Sequence, residues 1–429
     1  MTIFWHRRDL RTNDNAGLFA ALRKEKEVQP IFIFDKNILN ELKSEDQRVL
    51  YIYKHIQKIK KQYKEHGSDL LVYYGEPKEI FKQLIAEHKI SSVYTNRDYE
   101  PYAKTRDEEI AHLLEEQDIK FRTLKDHVIF ERNEVVKGDG TPYRVFTPYM
   151  KQWKKELSDF HLKTYPTEKY FENLKQSKEA STLISLKEMG FSDEQTQDFP
   201  SIEASDKIIK DYENTRDIPA IRGTTRMSLH LRFGTISIRE LCQQGRKNEK
   251  YFNELIWRDF YQMILDHFPK SADQSFKPQY DNIPWENNEA HLKAWKEGKT
   301  GYPIVDAGMR ELNATGFMHN RVRMVVASFL TKHLMTDWRL GEAYFAEKLL
   351  DYEMASNVGG WQWAASSGVD AQPYFRVFNP TSQHKKFDPN DKYIKKWVPE
   401  YGTDKYPDPI VEHKKARQHA IDTYKEALN

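Results

Sequence analysis

Four stretches of the sequence concentrate side chains that can do chemistry. In Ile221-Arg222-Gly223-Thr224-Thr225-Arg226-Met227-Ser228, small hydroxyls, free backbone N–H groups and two arginines precede a helical run. That mixture suits a phosphate, with Tyr212 able to cover an attached group, although Gly-Thr-Thr is also an ordinary helix N-cap. In Asn253-Glu254-Leu255-Ile256-Trp257-Arg258, Glu254 and Trp257 stand three apart, so a helix places a carboxylate and an indole on one face. Arg258 is spaced to pair with Glu254, which a plain surface ion pair beside a core tryptophan would do equally well. In Met318-His319-Asn320-Arg321-Val322-Arg323-Met324, Asn320 and Met324 share a helical face, an amide that can read a polar ring edge beside a thioether that can pack on it. Arg321 and Arg323 point elsewhere, one toward phosphate and one toward an acidic partner. Finally, Asp351–Trp363 places Gly359-Gly360 between a polar turn and two indoles, so that backbone can approach something flat and large.

Other chemistries find little support. Cys242 is the single cysteine, and the histidines form no HExxH or similar metal spacing. No GxSxG elbow supports a serine nucleophile. A P-loop is absent, since Gly298-Lys299-Thr300 lacks both the upstream glycine and the preceding strand.

These groups need a scaffold, and 429 residues exceed what one core usually supports, so at least two domains are expected. With 31% charged and 39% hydrophobic residues, no stretch approaches the roughly 20 apolar residues of a bilayer span. The lone cysteine and the charged start MTIFWHRRDL point to a cytoplasmic protein. Net charge is only +2, from 67 basic against 65 acidic residues, so a polyanion must be held by a local patch. Aromatics make up 13%, and seven of nine tryptophans lie beyond residue 256, which by itself suggests a large helical core.

Residues 1–130 alternate strand-like runs (Thr2–Trp5, Gln29–Phe34, Leu70–Tyr74, Ser92–Thr95, Lys120–Leu124) with amphipathic stretches, the rhythm of a doubly wound, Rossmann-like parallel sheet. The dinucleotide fingerprint is missing: His6-Arg7-Arg8-Asp9 follows the first strand where glycines would be needed. Residues 131–200 read as a connector with helical turns packed on the surface. Residues 201–429 read as all-helical.

Together these residues resemble the DNA photolyase and cryptochrome family, most closely its class I photolyases that repair cyclobutane pyrimidine dimers. The resemblance runs from Phe4-Trp5-His6-Arg7-Arg8-Asp9-Leu10-Arg11 through Trp295-Lys296-Glu297-Gly298-Lys299-Thr300-Gly301-Tyr302-Pro303 and Gly360-Trp361-Gln362-Trp363 to Phe378-Asn379-Pro380, weakest in the connector. It implies an N-terminal α/β antenna domain and a C-terminal helical domain holding a U-shaped FAD. By motif, Tyr212, Thr224, Thr225, Arg226, Met227 and Ser228 hold the FAD phosphates and ribityl chain, with Glu254 and Arg258 nearby. Asn357 faces flavin N5, and Arg323 with Asp351 forms a buried pair beside the isoalloxazine that favours its reduced anion. Glu254, Asn320, Arg321, Met324, Trp257 and Trp363 line a pocket for the dimer, Asn320 also bordering the flavin. Arg216 and Arg321 hold flanking phosphates of damaged DNA, and Trp361, Trp338 and Trp285 form an electron path to the surface. In the family, excited reduced FAD passes an electron to the dimer, the cyclobutane ring splits and the electron returns. The implied enzyme is a monomer with no obligate protein partner and no membrane contact, nucleoid-associated when bound to DNA.

Four departures accompany the resemblance. Glu353 stands where Asp is usual, moving a flavin-edge contact by one methylene. Tyr102 and Ala103 stand where some relatives have the Asn-Glu pair that contacts a folate antenna, so that contact is not matched and both the presence and the identity of a second, antenna chromophore stay open. Phe317 replaces a common Trp, and Glu400–Tyr406 is a shortened surface loop. The rival reading, a cryptochrome-like photoreceptor without repair activity, is disfavoured by the expected absence of a signalling tail after the helix Pro409–Ala427. A (6-4) photolyase would carry paired histidines at His319-Asn320, and a pure electron carrier leaves the stacking pocket unexplained.

Overall fold

Alternating apolar and β-branched side chains drive five strands into one sheet. The computed structural model describes residues 1–429. In it β1 (Thr2–His6), β2 (Val28–Asp35), β3 (Leu71–Gly75), β4 (Ser92–Asn96) and β5 (Lys120–Leu124) lie in the order β3-β2-β1-β4-β5. All neighbours are parallel, with Thr2 opposite both Val28 and Ser92. β1, β2 and β4 are buried along their whole length, as strands covered on both faces must be. The crossovers are the helices Ala16–Lys24, Gln47–Glu65, Pro77–Glu87 and Pro101–Glu115. Asn15 and Asp46 cap the first two by accepting from the backbone N–H groups of Leu18 and Arg48.

Strand order reverses between β1 and β4, where a doubly wound sheet ordinarily opens a ligand crevice. Here the chain's own polar groups fill it. Asp9 accepts from the Arg7 backbone N–H at 2.7 Å, from Asn15 Nδ2 at 3.2 Å and from Asn96 Nδ2. Arg7 in turn holds Asp107 and the Asn96 carbonyl.

The chain divides into two compact units: residues 1–131, 157–203 and 227–244 form the first, and residues 132–156, 204–226 and 245–429 the second. The stretch 131–200 is therefore shared. Its later part covers the first unit, where the Lys175 N–H bonds the Val28 carbonyl and Ser181 bonds Asp69. Its earlier part supplies the second unit with the helix Phe146–Glu156, whose Trp153 indole donates to Asp259 at 3.0 Å. Within the first unit, burial alone would raise Asp126, but Arg11 at 2.6 Å and Arg239 at 2.8 Å hold it below the usual carboxylate range.

The second unit is helical throughout. Its core is built around Trp295, Trp338, Trp361, Phe329 and Phe345 on the helices Glu289–Glu297, Asn320–Lys332, Trp338–Lys348 and Met354–Ala364. Gly298 to Pro303 wraps a carboxylate: Asp306 accepts from the Thr300 N–H and hydroxyl, the Gly301 N–H and the Tyr406 hydroxyl. Arg310 with Glu400 ties down the short loop that follows. No helix is long and apolar enough to cross a membrane.

Candidate active site

The helix Glu249–His267, capped by Asn248, presents Glu254, Trp257 and Arg258. Glu254 and Arg258 do not pair with each other, contrary to the expectation from their spacing. Glu254 Oε1 accepts from Arg216 Nη1 at 2.6 Å, whereas Arg258 reaches the buried Glu353 with two bonds, Nε to Oε2 at 3.1 Å and Nη2 to Oε1 at 2.7 Å. The reason is geometric: two parallel bonds to a facing carboxylate satisfy a buried guanidinium better than one bond along its own helix. The extra methylene of Glu353 is thus used on Arg258, and the same Oε2 accepts from Ser356 Oγ at 3.2 Å. Burial pushes the Glu254 carboxyl above its usual range, with Arg216 opposing. Trp257 lies flat on Phe146, ring centroids 3.6 Å apart and planes 7° apart.

The helix Asn320–Lys332 starts on His319, whose Nδ1 accepts from the Arg321 N–H at 3.2 Å. Burial lowers the His319 pKa to about 4, so the ring is neutral with its proton on Nε2. Asn320 is exposed, and Arg321 Nη1 stands 3.7 Å from the Met324 sulfur. Arg321 also donates to Asp217 Oδ1, from Nε at 3.1 Å and Nη2 at 2.8 Å. One short segment, Arg216-Asp217, therefore touches Glu254 on one helix and Arg321 on another, bringing the two together. Arg323 forms the expected pair with Asp351, at 3.1 and 3.0 Å, and its Nε donates to the Met318 carbonyl.

On the helix Met354–Ala364, Asn357 gives its amide N–H to the Glu342 carboxylate at 2.9 Å and to the Glu342 carbonyl at 3.2 Å. This leaves the Asn357 Oδ1 acceptor to another group. The Gly359-Gly360 expectation needs correction in part. A Cβ on Gly359 would come within 2.3 Å of the Tyr261 ring, so the flat group it admits is the chain's own tyrosine; Gly360 faces open space. Trp363 packs near Phe378 at 6.4 Å.

In the hydroxyl-rich stretch, Thr225 Oγ1 bonds the Tyr251 hydroxyl at 3.0 Å, and Tyr251 meets Tyr212 edge-on at 5.1 Å. Arg226 has a left-handed backbone, φ 56°, and its guanidinium lies 4.1 Å from the Phe317 ring. Thr224, Thr225 and Arg226 belong to the second unit, Met227 and Ser228 to the first; Met227 is buried and Ser228 exposed. Hydroxyls, an exposed guanidinium, a paired Arg323 and a free amide oxygen on Asn357 form a donor and acceptor set that fits a flavin dinucleotide.

Trp338 and Trp361 are buried in one apolar cluster and the half-buried Trp285 packs against it. The ring contacts of Trp361 are with Phe345 at 5.0 Å and Trp295 at 6.0 Å, while Trp285 meets Tyr424 at 6.0 Å.

The likeness to known proteins spans both units. Residues 2–169 match the DNA photolyase family, and residues 251–404 match the FAD binding domain of DNA photolyase. The deoxyribodipyrimidine photo-lyase of a Synechococcus species is 38% identical over 96% of this chain and 93% of its own length. The chain belongs to the DNA photolyase family. Among solved structures, a class III photolyase from Agrobacterium tumefaciens superposes with a TM-score of 0.87 at 31% identity, covering 99% of this chain and 97% of its own. An archaeal photolyase from Sulfolobus tokodaii, with two FAD molecules, gives 0.85 at 35% identity, covering 99% of each chain. The α/β sheet followed by a helical FAD-binding part is the photolyase fold, and FAD is the cofactor.

Three residues of this photolyase carry no signal in the sequence. Glu342, which orients Asn357, Phe146, which backs Trp257, and Asp217, which holds Arg321, are all partners across sequence gaps that no local spacing marks.

Proposed function

We propose that this chain is a light-driven DNA repair enzyme, a deoxyribodipyrimidine photo-lyase that splits cyclobutane pyrimidine dimers. The observation that carries the reading is the convergence of Glu254 and Arg321 on the Arg216-Asp217 segment, with Met324 beside Arg321, in a chain whose full-length relatives bear that name. A dimer already distorts its duplex, so extruding it costs less than extruding an intact pair. Trp257 and Trp363 offer apolar walls to its rings, Asn320 and Met324 its polar edge and flank. Protonated Glu254 donates to a pyrimidine carbonyl and stabilises the charge that develops there. Arg216 and Arg321 hold the flanking phosphates, which makes binding salt-dependent and largely independent of sequence.

FAD, when bound, supplies the electron that light delivers to the dimer. Tyr212, Thr224, Thr225 and Arg226 hold its phosphates and ribityl chain; Arg258 and Glu353 brace the cofactor side of the site. Arg323, paired with Asp351, supplies positive charge, and Asn357 presents Oδ1 to a ring N–H. Trp361, Trp338 and Trp285 carry electrons inward from the surface. A second, antenna chromophore belongs to this reading, as the Sulfolobus tokodaii relative has two FAD molecules. We place the protein as a monomer without an obligate protein partner in the cytoplasm, on the nucleoid when bound to DNA. The photoreceptor alternative is not favoured by relatives named photo-lyases.

The test is to incubate the reduced protein with ultraviolet-damaged oligonucleotide under blue light and count cyclobutane dimers. Loss above a dark control is expected; no loss sinks the proposal.

A further inference from the structure

We infer that Asp217 is a resident stand-in for a DNA phosphate on Arg321, an internal counter-ion that DNA must displace. The inference rests on the reading of Arg321 as a phosphate contact. Two features of the pair carry it. First, the guanidinium offers the fork Nε and Nη2, and a single carboxylate oxygen, Asp217 Oδ1, takes both donors at 3.1 and 2.8 Å. That fork is the one a phosphate oxygen would use. Second, Arg321 is held from other directions too: its guanidinium lies 4.5 Å from the Phe387 ring, and Nη1 faces the Met324 sulfur. It stays in place if Asp217 leaves. The side chains differ in exposure, 19% for Arg321 and 43% for Asp217, so the carboxylate is the partner free to move out into solvent.

An arginine that trades a carboxylate for a phosphate gains little counterion release, because the freed Asp217 recaptures a cation near the DNA. Each newly neutralised phosphate contributes a slope of about 0.9 in the logarithm of affinity against that of salt. Asp217 thus weakens binding and softens its salt dependence. If instead Asp217 stayed on Arg321 in the complex, that fork would meet no phosphate, and loss of the carboxylate would leave both the affinity and the salt slope close to wild type. The two arrangements predict different salt slopes.

The experiment measures affinity of the dark, FAD-loaded protein for ultraviolet-damaged duplex at about 50 and about 200 mM salt, for wild type, Asp217→Asn, Arg321→Gln and Glu213→Gln. Glu213 lies in the same segment, is exposed, and faces Lys250 at 3.9 Å, so it controls for the loss of one negative charge. Asp217→Asn is expected to bind more tightly at low salt and to lose about threefold more affinity than wild type over that salt range, the ratio a slope of about 0.9 gives. Glu213→Gln is expected to move neither quantity comparably. Unchanged or weaker binding by Asp217→Asn, or an equal effect of Glu213→Gln, overturns the inference. Arg321→Gln reports separately on the underlying reading: if it binds as wild type, Arg321 is no phosphate contact at all.

Discussion

Glu342 accepts two hydrogen bonds from one amide nitrogen, Asn357 Nδ2, through its carboxylate at 2.9 Å and its backbone carbonyl at 3.2 Å. The amide cannot flip without losing both, so the orientation of Asn357 Oδ1 is fixed, and in the proposed site this is the acceptor offered to the cofactor. Glu342→Ala should therefore leave FAD bound but make the reduced protein reoxidise faster in air, a change followed by absorbance; Glu342→Gln, which keeps a carbonyl acceptor, should restore much of the wild-type rate.

With Glu254 in its proposed role as donor to the dimer, its protonation state should set a pH limit on repair. Burial holds its carboxyl above the usual range and Arg216 pulls it back. The protonated form is the donor, and its population falls as pH rises through that raised value, so repair per light dose should decline on the alkaline side. Arg216→Gln removes the opposing cation and should carry the decline to higher pH. Glu254→Gln donates at every pH and should show no decline. Superimposable pH profiles for all three proteins would refute the assignment.

Glu353→Gln should destabilise the fold by about 3–5 kcal/mol in denaturant unfolding, because it removes the buried negative charge that faces the Arg258 guanidinium. Glu353→Asp, the residue usual in the family, should cost less, since it keeps the charge and gives up reach.

Trp338→Phe should slow photoreduction of oxidised protein yet spare repair by chemically reduced protein, both read by absorbance and dimer counts. Normal photoreduction in that variant would remove Trp338 from the electron path.

Lys332 is buried against Ser366 Oγ at 2.8 Å with no carboxylate partner, and burial lowers its pKa from 10.5 to about 7. Between those values the unfolded chain binds a proton that the folded chain does not, so this group makes stability rise with pH from about 7 upward. In Lys332→Met that rise in melting temperature should disappear.

Much of the scaffold was legible because it is local. The strand and helix rhythm of residues 1–130 follows from side-chain period, and caps such as Asn15 and Asp46 mark their helices within a residue. The Arg323–Asp351 pair came with the family resemblance. What local pattern could not supply was choice among partners. Arg258 has Glu254 one helical turn away and still takes Glu353, 95 residues on, because a facing buried carboxylate matches its fork. Gly359 looked like room for a ligand; only the packing of helix on helix shows that Tyr261 occupies it.

The opening turn of the helix Trp338–Lys348 joins matters that are usually studied apart. Trp338 begins it; at Gly341 any Cβ would collide with the Trp361 ring at 2.2 Å; Glu342 anchors Asn357. On the proposed roles, electron supply and cofactor tuning are therefore mechanically pleiotropic: a substitution that loosens these five residues should disturb both at once.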